Sequence, residues 1–83
     1  MFAVRISTRA AKQIKKLPEK IQEAIIESFR ELKDTPHLGK KLSRELSERF
    51  SYRISFYRIV YKINEKDKIV SILFAGHRGT VYD

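Results

Sequence analysis

Three arginines in the C-terminal half of the chain, Arg53, Arg58 and Arg78, are the residues best suited to chemistry. Arginine side chains bind phosphate oxygens bidentately and keep their charge, which suits a reacting phosphodiester that accumulates negative charge. Because side chains alternate along a strand, Arg53 and Arg58 are predicted on one face of neighbouring strands, with Arg78 directly after the last strand. The pattern predicts a phosphate site; the alternative is that each arginine pairs separately with a nearby acid.

A histidine and a tyrosine accompany Arg78, and both suit the cleavage of RNA. Cutting through the 2′-hydroxyl requires one proton to leave that oxygen and another to reach the departing 5′-oxygen, and His77 can do either near neutral pH. Tyr82 can stack on a base or take part in proton transfer. The alternative for His77 is a hydrogen bond that only supports its turn. His37, in a loop beside Pro36, is predicted to be structural.

The charge of the chain favours a polyanionic partner. Eighteen lysines and arginines against ten acids give a net charge of +8. Nucleic acid is the leading candidate, with an acidic protein or a membrane surface as alternatives. Glutamates recur every four residues on the longest predicted helix and form an acidic ridge: Glu19, Glu23, Glu27 and Glu31. The excess positive charge is therefore expected elsewhere, including a basic connection over residues 40–50.

Composition also excludes several kinds of site. The chain has no cysteine, which rules out disulfides and thiolate ligands, and two histidines without a spaced acidic partner make a poor zinc site. We therefore expect neither a metal nor a cofactor. No apolar run is long enough to span a membrane, and the N-terminal residues lack the pattern of a signal peptide, which predicts a cytoplasmic protein.

The alternation and spacing of apolar residues predict one domain over residues 1–83, with the order β-α-α-β-β-β. The fold class is α+β: a mostly antiparallel four-stranded sheet with two N-terminal helices packed on one face. The predicted strands cover residues 2–6, 48–54, 56–63 and 68–75, and the predicted helices cover residues 9–17 and 19–33. The turn at Ser55 and Phe56 lacks the Gly or Asn that tight turns prefer, so we expect a bulge there, and residues 64–67 are expected to form a hairpin turn.

The same patterns predict the core. On the strands, the side chains expected to face the helices are Tyr52, Ile54, Tyr57, Ile59, Tyr61 and Ile63, while Arg53, Arg58 and Lys62 point away. On the long helix, the apolar stripe consists of Ile21, Ile25, Phe29 and Leu32, widened by Ala24 and Ile26.

Five short segments in combination resemble one known family. They are Lys-Lys-Leu-Pro at 15–18, Gly-Lys-Lys-Leu at 39–42, Tyr-Arg-Ile at 52–54, Tyr-Arg-Ile-Val-Tyr at 57–61 and Gly-His-Arg-Gly-Thr-Val-Tyr at 76–82. Along essentially the whole chain they resemble the RelE/ParE toxin superfamily of type II toxin-antitoxin systems. Resemblance to the RelE branch implies a ribosome-dependent endoribonuclease, an mRNA interferase that cuts messenger RNA in the A site and leaves a cyclic phosphate and a free 5′-hydroxyl.

The resemblance also implies a role for individual residues. Arg58 matches an arginine that holds the scissile phosphate, Arg78 one that protonates or stabilises the leaving group, and Tyr82 an aromatic that orients or stacks on the substrate. Arg53 matches a basic strand position, and His77 completes the predicted catalytic set. RNA binding is predicted for Lys40, Lys41, Arg44, Arg49 and Ser51, the last of which stands where a further basic residue can occur.

Family members are held inactive by a small antitoxin that wraps the toxin. The resemblance therefore implies two partners, a cognate antitoxin protein and a ribosome carrying A-site mRNA. The toxin alone is expected to be a monomer and its complex with the antitoxin a heterotetramer. Two alternatives remain open at this point: a ParE-like protein that poisons DNA gyrase without cutting RNA, and a catalytically silent relative that only binds RNA.

Overall fold

The sheet is built around a strand near the C-terminus that pairs with the first strand of the chain on one side and with its own hairpin partner on the other. The computed structural model describes residues 1–42 and 49–77. The elements, in chain order, are β1 (Ala3–Ile6), α1 (Thr8–Lys15), α2 (Glu19–Asp34), one turn of 3-10 helix (Pro36–Leu38), β2 (Lys40–Lys41), β3 (Arg49–Ile54), β4 (Tyr57–Asn64) and β5 (Ile69–His77). The spatial order is β1-β5-β4-β3-β2.

The predicted α+β class is confirmed, with both helices contributing to one core against the sheet. Strands β1 and β5 run parallel, and the remaining pairs are antiparallel. The sheet has five strands where four were predicted, because Lys40 and Lys41 pair with Ser51 and Phe50 of β3. A strand of two residues leaves no periodic pattern in a sequence, so this segment was predicted only as a basic connection.

Helix α1 completes the outer edge of β5 where β1 ends. Ser7 caps the helix by accepting a hydrogen bond from the Ala10 N–H at 3.0 Å, and the Ser7 hydroxyl donates to the Leu73 carbonyl at 3.3 Å. Further along, the Gln13 Oε1 atom accepts the Ala75 N–H at 2.8 Å. The side chains of Ser7 and Gln13 therefore satisfy β5 backbone groups that lie beyond the end of its pairing with β1.

Helix α2 begins after Pro18 and packs against the sheet through a narrow stripe. Ile25, Phe29 and Leu32 are buried as predicted, but Ile26 is 55% exposed and Ala24 is also exposed. Each residue turns the helix by about 100°, which places positions 24 and 26 on either side of a stripe centred near position 25. The prediction that they widen the buried stripe is therefore wrong. Within residues 1–42 and 49–77, neither helix is long and apolar enough to cross a membrane.

Tyr61 joins the sheet to the segment that follows α2. Its side chain is fully buried, and its hydroxyl donates to the Pro36 carbonyl at 2.8 Å and accepts the Gly39 N–H at 2.9 Å. The Phe50 ring stacks on the Tyr61 ring at 5.6 Å. Burial raises the pKa of Tyr61, against a smaller lowering by the Gly39 N–H, so the hydroxyl stays protonated and can donate.

Five of the six predicted core positions on the strands are confirmed, whereas Tyr57 is half-buried and is not part of the core cluster. Ile59, Tyr61 and Ile63 are buried, and Tyr52 and Ile54 pack against their margin. Val60 is also buried but lies outside this core cluster, as alternation along β4 requires.

Two turns set the register of the last three strands. Ile54 pairs with Tyr57, so Ser55 and Phe56 form a two-residue turn in which Ser55 has a φ of 58°. The expected bulge at this turn is wrong; the register shift lies between Val60 and Tyr61, where β4 meets β5.

The predicted turn between β4 and β5 is confirmed. The Asn64 side chain accepts the Asp67 N–H at 3.0 Å and closes it, and Asn64 pairs with Ile69 at the start of β5.

Replacing Tyr61 with Phe should lower the free energy of unfolding by about 1–3 kcal/mol, because a buried carbonyl and a partly buried N–H would lose their partner. Urea denaturation measures the change. Tyr52→Phe is the matched control: its hydroxyl bonds the Glu31 carboxylate at an exposed position, so the loss should stay below about 1 kcal/mol. Equal losses in the two variants would contradict the role given to the Tyr61 hydroxyl.

Replacing Gln13 with Leu should expose the end of β5 to local opening, since the Ala75 N–H would lose its acceptor at a cost of about 1–3 kcal/mol. Gln13→Glu keeps an acceptor oxygen at the same distance along the side chain and serves as the control. Hydrogen exchange at the Ala75 amide reports the opening directly. An amide equally protected in the Leu and Glu variants would show that the side chain does not hold this strand end.

Candidate functional site

Arg53 and Arg58 lie directly opposite each other on β3 and β4. Opposed residues of an antiparallel pair share one side of the sheet, with Cα atoms about 4.5–5.5 Å apart. Because Ile59 and Tyr61 point into the helical core, Arg58 points to the opposite side. We call this side, turned away from α1 and α2, the arginine face; the structure places both arginines there, as alternation predicts.

Arg53 and Arg58 bring two positive charges together on neighbouring strands. Like charges directly opposite each other on neighbouring strands destabilise a sheet by a few tenths to about 1 kcal/mol. Arg53 is exposed, and its Nε atom donates to the Ser55 carbonyl at 3.3 Å. This hydrogen bond keeps the Arg53 guanidinium group near the turn. Arg58 is half-buried. A phosphate between the two groups would replace this repulsion with charge-assisted hydrogen bonds.

Most of the predicted RNA-binding residues share the arginine face. Arg49 and Ser51 precede Arg53 on the same strand at alternate positions, and Ser51 is buried. Lys40 pairs with Ser51 and therefore joins them, whereas Lys41 pairs one position earlier and points to the helix-covered side. Arg44 lies outside the described residues.

The structure does not bring His77 to the arginine face. His77 ends β5 opposite Tyr57, and the two rings meet edge to face at 5.7 Å. Tyr57 is two residues before Ile59 and shares its side of the sheet, so His77 lies on the helix-covered side, away from Arg58. Arg78 and Tyr82 lie outside the described residues.

Tyr52 connects the strand of Arg53 to helix α2. Its hydroxyl donates to Glu31 Oε1 at 2.9 Å. Burial, followed by this hydrogen bond and the negative charge of Glu31, raises the pKa of Tyr52. The phenol is therefore neutral near pH 7, and it lies on the helix-covered side of the sheet, away from the arginine pair.

Two residues near the site were not among the predicted site residues. Lys62 lies opposite Arg49, and alternation along β4 already indicated its direction. Gln13 supports the strand that leads to His77, across 62 positions of sequence. No local sequence pattern predicts a contact between residues so far apart in the chain.

Comparison with known proteins identifies the family. A family model described as the ParE toxin of the type II toxin-antitoxin system parDE matches residues 4–82. Toxin RelG of Mycobacterium tuberculosis is 39% identical over 98% of this chain and 95% of its own length.

Solved structures agree with this result. The toxin-antitoxin complex RelBE2 of Mycobacterium tuberculosis contains a chain that is 39% identical, with a TM-score of 0.84 over 93% of this chain and 98% of that chain. The isolated Escherichia coli RelE toxin has a TM-score of 0.81 over 99% of this chain and 92% of its own, at 22% identity, and shows the shared fold. The chain therefore belongs to the RelE/ParE superfamily and is a toxin of a type II toxin-antitoxin system.

Proposed function

We propose that this toxin is a single-domain, cytoplasmic, ribosome-dependent endonuclease that cuts mRNA in the A site without a metal or cofactor. The observation that carries the proposal is the cross-strand pair of Arg53 and Arg58 on the arginine face. Its geometry suits a phosphodiester, whose two nonbridging oxygens can each accept from a guanidinium group. The near full-length similarity to a toxin named RelG supports the same branch of the family.

The proposed reaction is an internal transesterification. The 2′-oxygen bonds to phosphorus, the bond from phosphorus to the 5′-oxygen breaks, and the products are a cyclic phosphate and a 5′-hydroxyl. One proton leaves the 2′-hydroxyl and one reaches the 5′-oxygen, so no water or cofactor is consumed. We assign Arg58 to the nonbridging oxygens with Arg53 beside it, Arg78 to the leaving oxygen and Tyr82 to stacking on the substrate.

The ribosome would supply much of the remaining barrier reduction. Holding the 2′-oxygen in line with the scissile bond can contribute about 7–11 kcal/mol. This allows a site made largely of arginines, which stay protonated, to work without a side chain that acts as an efficient general base. His77, whose ring contacts Tyr57 on the helix-covered side, stays a prediction as a proton carrier.

We further propose that a cognate antitoxin covers the toxin until release. The similar RelBE2 structure is itself a toxin-antitoxin complex, which supports an antitoxin partner. A small acidic protein would complement the net charge of +8. We propose a monomeric free toxin and a heterotetrameric complex.

Replacing Arg58 with Ala should lower mRNA cutting in a purified translation system by roughly 10²–10³-fold, the usual effect of removing one donor to a developing charge. Arg58→Lys should retain part of the rate, because it keeps the charge but loses the bidentate geometry. Lys15→Ala, at an exposed position on α1, is the control and should cut as the wild type does. Undiminished cutting by Arg58→Ala would exclude the assigned role.

The second candidate is a gyrase inhibitor, favoured by the match to the ParE family model over residues 4–82. We expect no inhibition of DNA supercoiling at toxin concentrations that cut mRNA completely. Inhibition of gyrase by a toxin that leaves translated mRNA intact would reverse the ranking. A protein that does neither but still binds RNA would be the silent relative.

A further inference from the structure

A second row of polar and cationic residues crosses the arginine face, four positions along the strands from the arginine pair. The register places Arg5 opposite Ser71, Ser71 opposite Lys62, and Lys62 opposite Arg49. These four residues form one line across β1, β5, β4 and β3, which we call the transverse row. The parallel pairing of β1 with β5 brings Arg5 into it.

The dimensions of the row exceed those of one phosphate. Neighbouring strands are about 4.8 Å apart, which puts Arg5 about 10 Å from Lys62 and Lys62 about 5 Å from Arg49 at the backbone. Four residues along a strand separate the row from the arginine pair by about 13 Å. Separate phosphates of one nucleic-acid chain can therefore occupy the two places.

The positive charge of the row is not neutralised within residues 1–42 and 49–77. Arg5 and Lys62 are exposed and Arg49 is half-buried. In that part of the chain, the ion pair between an arginine and an acid joins Arg30 to Glu27, and the Glu65 carboxylate contacts the His37 ring. The acids described there lie on α2 or between β4 and β5: Glu19, Glu23, Glu27, Glu31, Asp34, Glu65 and Asp67. Among these described residues, the row thus sets Lys62 against Arg49 with no acid beside them on the face.

We propose that the transverse row is a second phosphate-binding site. It binds a part of the RNA backbone that is distant from the scissile phosphate. The inference rests on the proposed function, because it takes RNA as the ligand of the arginine face. A protein partner is disfavoured, since protein interfaces centre on apolar and aromatic side chains and this row has only cations and a serine. Contacts to nucleic-acid backbones use this combination of Arg, Lys and Ser.

The test measures RNA binding and not cutting, in the full chain carrying Arg58→Ala to prevent cleavage. The probe is a fluorescent single-stranded RNA of about 20 nucleotides, titrated over a range of salt concentrations. In Arg5→Ala/Lys62→Ala, the slope of log K against log salt should become shallower by about 1.4, because each lost contact to single-stranded nucleic acid removes about 0.7. Lys15→Ala/Lys20→Ala, on the helices, loses the same net charge and should keep the slope.

Equal slopes in the two double variants would overturn the proposal. So would a row variant that loses affinity for a polyglutamate peptide but not for RNA, since the row would then serve an acidic protein. Arg5→Gln/Lys62→Gln repeats the measurement with longer side chains if the alanine variant does not fold. The experiment measures binding, so the two proposals can fail separately. If the protein cuts no RNA but shows the change of slope, the row still binds RNA and only the assignment as a nuclease is wrong.

Discussion

The register of the β3–β4 hairpin is the constraint on which the candidate site depends. Side chains alternate with a period of two, so sliding β3 by one residue would turn Arg53 toward the helices and Tyr52 away from them. The two-residue turn sets this register even though Ser55 takes a φ of 58°, which for a residue with a Cβ atom costs about 1–2 kcal/mol. Core burial beyond the turn, with Tyr61 fully enclosed, outweighs that strain.

Burial on the helix-covered side of the sheet stabilises the fold by more than the like charges on the arginine face destabilise it. Each large side chain fully buried under the helices contributes about 1.5–3 kcal/mol, and Ile25, Leu32, Ile59 and Ile72 are all fully buried. A pair of like charges on neighbouring strands costs at most about 1 kcal/mol. The fold can therefore hold Arg53, Arg58, Arg49 and Lys62 on one surface of the sheet. Most of the acids in the described residues lie on α2, on the side of the sheet opposite the arginine face.

Local periodicity in the sequence was enough to predict both helices, four of the five described strands and the shared direction of Arg53 and Arg58, because alternation depends only on neighbouring residues. It did not predict what depends on packing between distant segments. Ile26 was expected in the core, since a sequence does not reveal how wide a stripe its partner covers. The register shift between β4 and β5 and the ring contact of His77 have no local signal. The place of Arg5 requires knowing that β1 lies beside β5.

The order of strands has a consequence for how the toxin comes into being. In the described sheet β1 is hydrogen-bonded to β5 and to no other strand, and the contact between Ser7 and Leu73 spans 66 positions. During synthesis the β3–β4 hairpin can form early, because its contacts are local, whereas β1 must wait for a neighbour that is made much later. The strand translated first can thus dock only once the last strand of the described sheet has been made. The toxin acquires its complete sheet only after residues 69–77 have emerged from the ribosome that makes it.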